Sequence, residues 1–158
     1  MKDENVKSVK EYAPTDEFFS GFEKSRQSKI NQLPGLFSGC HFFFYGTVEN
    51  YYVGKIKIMK DHLLSLVRKS GGVILKRSPD PESLALERTV PYHASEGSSI
   101  AATSYYIIYQ PGRNEPGLKY NMSHMKTLPI DWLILCIFNF QLINPEDTEI
   151  FLKKFLRE

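Results

Sequence analysis

The run Leu128-Pro129-Ile130-Asp131-Trp132-Leu133-Ile134-Leu135-Cys136-Ile137-Phe138-Asn139-Phe140 holds the chain's single tryptophan and is apolar on nearly every side. Wound as a helix, it sets Trp132, Leu135, Cys136 and Asn139 on one face, while Ile130, Leu133, Ile134, Ile137 and Phe138 fill most of the remaining circumference. Such a helix needs cover on two sides. A small domain covers one side with its own sheet, so the second side points to another helix, another domain or a partner, and an interaction module is expected before an enzyme.

The rest of the chain sets bounds on that expectation. Its 158 residues, 42% hydrophobic and 24% charged, suffice for one domain with one core. A net charge of +2 is too small to indicate nucleic-acid binding by itself. Cys40 and Cys136 both lie among apolar residues, which suggests neither a disulfide framework nor a metal site and fits a reducing compartment. The Met1-Lys2-Asp3-Glu4-Asn5 start has no signal-peptide core. The Trp132 run is too short, and too interrupted by Asp131, Asn139 and Gln141, to span a bilayer. A soluble intracellular protein without membrane association is expected.

Residues 1–32 are polar and charge-mixed and read as a linker, with Lys24, Arg26 and Lys29 as a loose basic cluster. Cys40-His41-Phe42-Phe43-Phe44-Tyr45, closed by Gly46, suits a buried strand. Met59, Leu63, Leu66 and Val67 have the spacing of an amphipathic helix with Lys60, Asp61, Arg68 and Lys69 outward. Ser70-Gly71-Gly72 ends that helix and Val73-Ile74-Leu75 follows as a strand, which makes a parallel strand–helix–strand unit. Residues 76–104 read as a long polar loop, functional or mobile, and Tyr105–Tyr109 as a third buried strand. A short helix near Tyr120 to Met125 and a brief strand at Lys126 to Leu128 lead into the Trp132 helix, with Pro129 in its first turn. Asn144-Pro145-Glu146-Asp147 begins a last helix with a side-chain cap at Asn144, whose Phe151, Leu152, Phe155 and Leu156 form an apolar edge.

Three of these features occur together: an aromatic first strand ending in glycine, Gly71-Gly72 between helix and strand, and Trp132 four residues before Cys136. Together they resemble a BRCT domain. From Ser25 to Ile143, the elements Leu33-Pro34, Leu36-Phe37-Ser38-Gly39-Cys40, Tyr92-His93-Ala94 and Tyr105-Tyr106-Ile107-Ile108-Tyr109 are similar to the second, C-terminal repeat of tandem-BRCT proteins that also carry a RING and an ankyrin array. The resemblance implies an α/β, three-layer BRCT fold: a four-stranded parallel sheet flanked by helices, here with an extra C-terminal helix. It divides the chain into an inter-repeat linker (1–32), a BRCT repeat (33–143) and a helical extension (144–158). It implies a nuclear protein of double-strand-break repair and a domain without catalytic activity or cofactor. In that family the ubiquitin-ligase function belongs to a distant RING, so a RING-domain partner would be met through other parts of a full-length protein. Two segments depart from the family pattern: Tyr51 to Lys57 is longer than its connection, and the tail continues past Asn144.

Site residues follow from the same resemblance. Arg77, with Lys76 beside it, matches a family arginine after the second strand that engages the acidic patch of the histone octamer; the plainer reading is a solvated basic strand end. Tyr51 lies near the place where second repeats contribute to a phosphopeptide-specificity pocket, although the family's phosphate pocket belongs to the first repeat. Gly71, Gly72, Trp132 and Cys136 are the fold signature. The apolar surface of the Trp132 helix would face a preceding BRCT repeat, be covered by the terminal helix, or serve self-association. Alternatives are a free-standing BRCT domain that binds DNA ends or poly(ADP-ribose) through Lys76, Arg77, Arg68 and Lys69, or binds a phosphopeptide, and a small flavodoxin-like enzyme. An enzyme would need Cys40 or Cys136 with one of His41, His62, His93 and His124, but thiols in core elements behave as small hydrophobes. Tyr92-His93 is expected to pack the base of the long loop rather than to bind metal.

Overall fold

The structure is a computed structural model that describes residues 24, 26–29, 32–82 and 90–155. Among the described residues the strands are β1 (His41–Phe44), β2 (Tyr51–Val53), β3 (Ile56–Ile58), β4 (Val73–Ile74), β5 (Tyr105–Tyr109) and β6 (Met125–Pro129). From β1 onward the described helices are α1 (Lys60–Lys69), α2 (Ile130–Asn139) and α3 (Thr148–Phe155), the last entered through a 3-10 turn at Pro145–Asp147. Strands β4, β1, β5 and β6, in that order, form one parallel sheet, and β2 with β3 forms a separate antiparallel hairpin. The α/β architecture and the four-stranded parallel sheet flanked by helices are as expected of a BRCT fold.

The helical connection that sets β4 parallel to β1 is visible in the chain. Helix α1 buries Leu63 and Val67, while Leu66 and Met59 are exposed. The expected four-residue stripe is therefore a two-residue one, with Met59 serving as the N-cap. At its end Gly71 takes a left-handed φ of +88°, and the Gly72 N–H donates to the Val67 carbonyl. A Cβ on Gly72 would lie 2.7 Å from the Val67 side chain and 3.2 Å from both the Phe37 Cβ and the Phe42 ring. The glycine pair thus serves two needs, a left-handed turn and a close approach, and only a strand placed this near can pair with β1.

The core is an aromatic ladder that crosses from strand to strand to helix. The Phe42 ring lies 5.2 Å from that of Tyr106, its register partner across β1 and β5, and Tyr106 lies 5.1 Å from Trp132. Both pairs are stacked, and Phe37 closes the end edge-on to Phe42 at 5.0 Å. The Trp132 indole N–H donates to the Ile143 carbonyl at 2.6 Å, so the ladder also holds the chain leaving α2. Helix α2 buries Ile130, Trp132, Leu133, Ile134, Leu135, Cys136 and Asn139. The buried Asn139 side chain donates back to the Leu135 carbonyl at 2.7 Å.

Much of the second side of α2 is covered by the chain itself. Helix α3 packs on α2, and Phe151 and Leu152 join the core; only Ile137 and Phe138 on α2 stay half-buried among its apolar residues. The side chains of Phe155 and Leu156, the rest of the expected edge, lie outside the described residues. So do residues 83–89 of the long loop and most of the 1–32 linker, of which residues 24 and 26–29 are helical with Ser28 buried.

Two local expectations are overturned. The segment before β6 is not helical: Thr127 N–H donates to the Tyr120 carbonyl and Met122 N–H to the Met125 carbonyl, each at 2.8 Å. A return strand contact at Asn121 and Lys126 therefore shields the edge of β6, a common way to blunt an open sheet edge. Asn144 makes no side-chain cap, and its buried Oδ1 has no partner. Thr148 instead donates its hydroxyl to the Pro145 carbonyl at 2.7 Å.

Substituting Gly72→Ala should lower stability by about 1–3 kcal/mol, because the added methyl overlaps Val67 in a filled core. Gly117→Ala, where a Cβ meets nothing within 4 Å, is the control. Urea midpoints measure both, and equal midpoints for the two variants would contradict the close-approach account.

Candidate functional site

In a parallel sheet every strand ends on the same side, so the segments after β1, β4, β5 and β6 share one rim. Lys76 and Arg77 reach it from β4. The Leu75 N–H donates to the Phe42 carbonyl at 2.7 Å, and the two basic residues then bend away into solvent, both exposed. Among the described residues no carboxylate forms an ion pair with either side chain. Beyond them Ser78-Pro79-Asp80-Pro81 turns, with Asp80 accepting the Glu82 N–H at 3.1 Å.

The segments after β1 and β5 are tied to each other. Gln110 makes two hydrogen bonds with the Glu49 backbone, both at 2.8 Å, and Glu49 pairs with Arg113 at 3.3 Å. Asn114 donates to the Thr47 carbonyl at 2.9 Å. Lys60, opening α1, donates to the Gly46 carbonyl at 2.9 Å. This network was not anticipated from the residues, since it joins positions about sixty apart in sequence.

Tyr51 sits at the base of the hairpin and donates its hydroxyl to the Asp131 carboxylate in the first turn of α2. Burial, then the neighbouring Asp131 charge, hold the phenol far above its ordinary range. Its hydroxyl is thus engaged in joining hairpin to helix. Val53, one turn of the pleat further on, is buried in the core. A signal for this hairpin was present in the alternation Tyr51-Tyr52-Val53-Gly54-Lys55-Ile56, with glycine at a two-residue turn.

Arg68 and Lys69 close α1 just before Ser70, whose carbonyl accepts from Phe37 ahead of β1. They lie at the end of the sheet opposite Lys76 and Arg77. The structure therefore does not join these four residues into one basic patch.

Both thiols are buried beside the Tyr106 hydroxyl. Burial pushes Cys40 up to about 12, partly offset by Tyr106, and raises Cys136 further. Neither thiol is poised as a nucleophile. His93 contacts the Pro34 carbonyl at 2.8 Å and meets Tyr92 and Phe140 edge-on, in keeping with a packing role. Among the described residues no group of three His, Cys, Asp or Glu could hold a metal ion, and no helix is long and apolar enough to cross a membrane.

No family model matches the chain. It is 34% identical over 126 residues to BRCA1-associated RING domain protein 1 of Homo sapiens, covering 77% of this chain and 15% of that protein. The chain is homologous to part of that protein. The Mus musculus protein of the same name is 32% identical over 137 residues, covering 85% of this chain and 17% of the relative. The chain thus spans less than a fifth of the length of BRCA1-associated RING domain protein 1 in either species. This homology agrees with the BRCT resemblance carried by Gly71, Gly72, Trp132 and Cys136 and with the observed sheet.

With both thiols held protonated, a colourless-to-coloured disulfide reagent at pH 8 should label neither Cys40 nor Cys136 until denaturant is added. Rapid labelling of the folded chain would contradict their placement. The sign for alkaline pH follows from the same burial. A thiol raised above its unfolded value contributes stability that is complete below about pH 9 and is lost as pH rises through the folded value. Stability should fall above pH 9, and Cys40→Ala should flatten that fall when urea midpoints are compared from pH 8 to 11.

Proposed function

We propose that this chain is a non-catalytic, chromatin- and protein-binding BRCT module of a nuclear DNA double-strand-break repair scaffold. Its proposed organisation is a linker (1–32), the repeat (33–143) and a helical extension (144–158). The relatives' name describes a RING domain protein associated with BRCA1. A ubiquitin-ligase partnership would accordingly run through a RING elsewhere in a full-length protein, and this module would supply the contact with chromatin. A preceding BRCT repeat is the proposed neighbour for the half-buried Ile137 and Phe138 strip of α2.

The observation that carries the reading is the exposed Arg77, with Lys76 beside it, at the end of β4. Arginine offers a planar fork of donors that can grip clustered carboxylates two at a time. The described residues leave that fork without an internal carboxylate, and a strand end bonded to β1 holds its backbone in place. We assign Arg77 to the acidic surface of the histone octamer and Lys76 to a supporting charge. A role for Tyr51 in phosphopeptide selection would have to use its ring, since the hydroxyl is bonded to Asp131.

The test is binding of the chain to reconstituted nucleosomes. Arg77→Ala should weaken binding about tenfold or more, as expected for loss of a charge-assisted pair, and Lys76→Ala less. Arg68→Ala, at the opposite end of the sheet, should leave binding unchanged. Nucleosome affinity indifferent to Arg77→Ala would refute the assignment.

A further inference from the structure

We propose that the β2–β3 hairpin is a second binding element, which docks on the phosphate backbone of duplex DNA through Lys55, Lys57 and Tyr52. From Asn50 to Lys60 the chain holds three lysines and no acid. Lys55 lies in the turn and Lys57 faces outward beside its cross-strand partner Tyr52, all three exposed. Among the described residues neither lysine of the hairpin pairs with a carboxylate. Of the bordering acids, Glu49 is paired with Arg113 and Asp131 accepts from Tyr51, which leaves Asp61 on α1.

Presentation of these groups is rigid. Val53 is buried at the tip of β2, the Tyr51 hydroxyl holds the base to α2, and Gln110 fixes the chain entering the hairpin. A preformed element loses little freedom on binding. A two-stranded ribbon also has the width that the major groove of duplex DNA admits. Lys55 and Lys57 are two residues apart in the chain, a span of at most about 7 Å, near enough to serve neighbouring phosphates of one backbone, and the Tyr52 hydroxyl is a further phosphate donor. An acidic peptide would satisfy the lysines, but it would gain nothing from the ribbon shape. The inference stands apart from the Arg77 reading because it requires no histone.

The test uses the full chain and a fluorescein-labelled 20-base-pair duplex without histones, followed by anisotropy in roughly 50 to 200 mM KCl. Binding should weaken with salt. In K55A/K57A the slope of log affinity against log salt should shrink by about 1.8, with affinity reduced at least about fivefold. K55R/K57R should keep the wild-type slope, and R68A/K69A, at the other end of the sheet, should change neither quantity. Equal thermal midpoints would show that the variants are folded. An absence of binding at 50 mM KCl, a K55A/K57A slope equal to wild type, or tighter binding to a polyglutamate peptide than to DNA would each overturn the proposal. Arg77→Ala in the same assay should be near wild type, so the two readings can fail separately.

Discussion

The stacking of Trp132 on Tyr106, with the indole N–H bonded to the Ile143 carbonyl, is the contact on which the rest of the structure depends. It joins three parts of the fold at one point. Tyr106 belongs to the central pair of strands, Trp132 to the helix that closes the sheet, and Ile143 to the chain that leads into α3. A large aromatic side chain buried on both faces contributes area that no aliphatic residue matches, and its single polar group must find a partner there. Ile143 supplies that partner, and its own N–H reaches Cys136 at 3.4 Å. The exit of α2 is thereby folded back on the helix, and α3 is brought over the surface that the apolar run would otherwise leave open.

That closure has a functional consequence. With α2 and α3 packed on each other and both thiols buried, the exposed polar groups described above gather at one rim of the sheet, where strand ends, the hairpin and the first turns of α1 and α2 converge. The rim is polar and cross-linked by Gln110, Asn114, Lys60 and Asp131. Nothing in this arrangement resembles a nucleophile with its base. The same rim carries the exposed cations Lys55, Lys57, Lys76 and Arg77.

What could be read from the chain follows the range of the interactions involved. The helix exit at Gly71-Gly72 and the burial of Trp132 and Cys136 were legible because they rest on local turn chemistry and on helical spacing. Leu66 was assigned to the buried stripe of α1, since spacing alone does not show how wide a stripe the sheet will cover. The segment before β6 read as helical because its alternative depends on bonds such as Tyr120 N–H to Thr127 Oγ1, which reward a strand only once β6 is in place. Asn144 followed the rule for helix caps, yet Pro145 begins a 3-10 turn and the Asn144 Oδ1 is buried without a partner instead. Lys76 and Arg77 are neighbours in the chain, while their separation from Arg68 and Lys69 needed the direction of β4. The tie between Tyr51 and Asp131, which lie 80 positions apart in the chain, had no local trace at all.

Trp132→Phe tests the central contact most directly, because it keeps a ring in the ladder and removes both the larger indole surface and the bond to Ile143. Equilibrium urea unfolding followed by far-UV circular dichroism should show a loss of about 2–4 kcal/mol with an unchanged denaturant slope. A loss below about 0.5 kcal/mol, within the range of an ordinary surface substitution, would contradict the account.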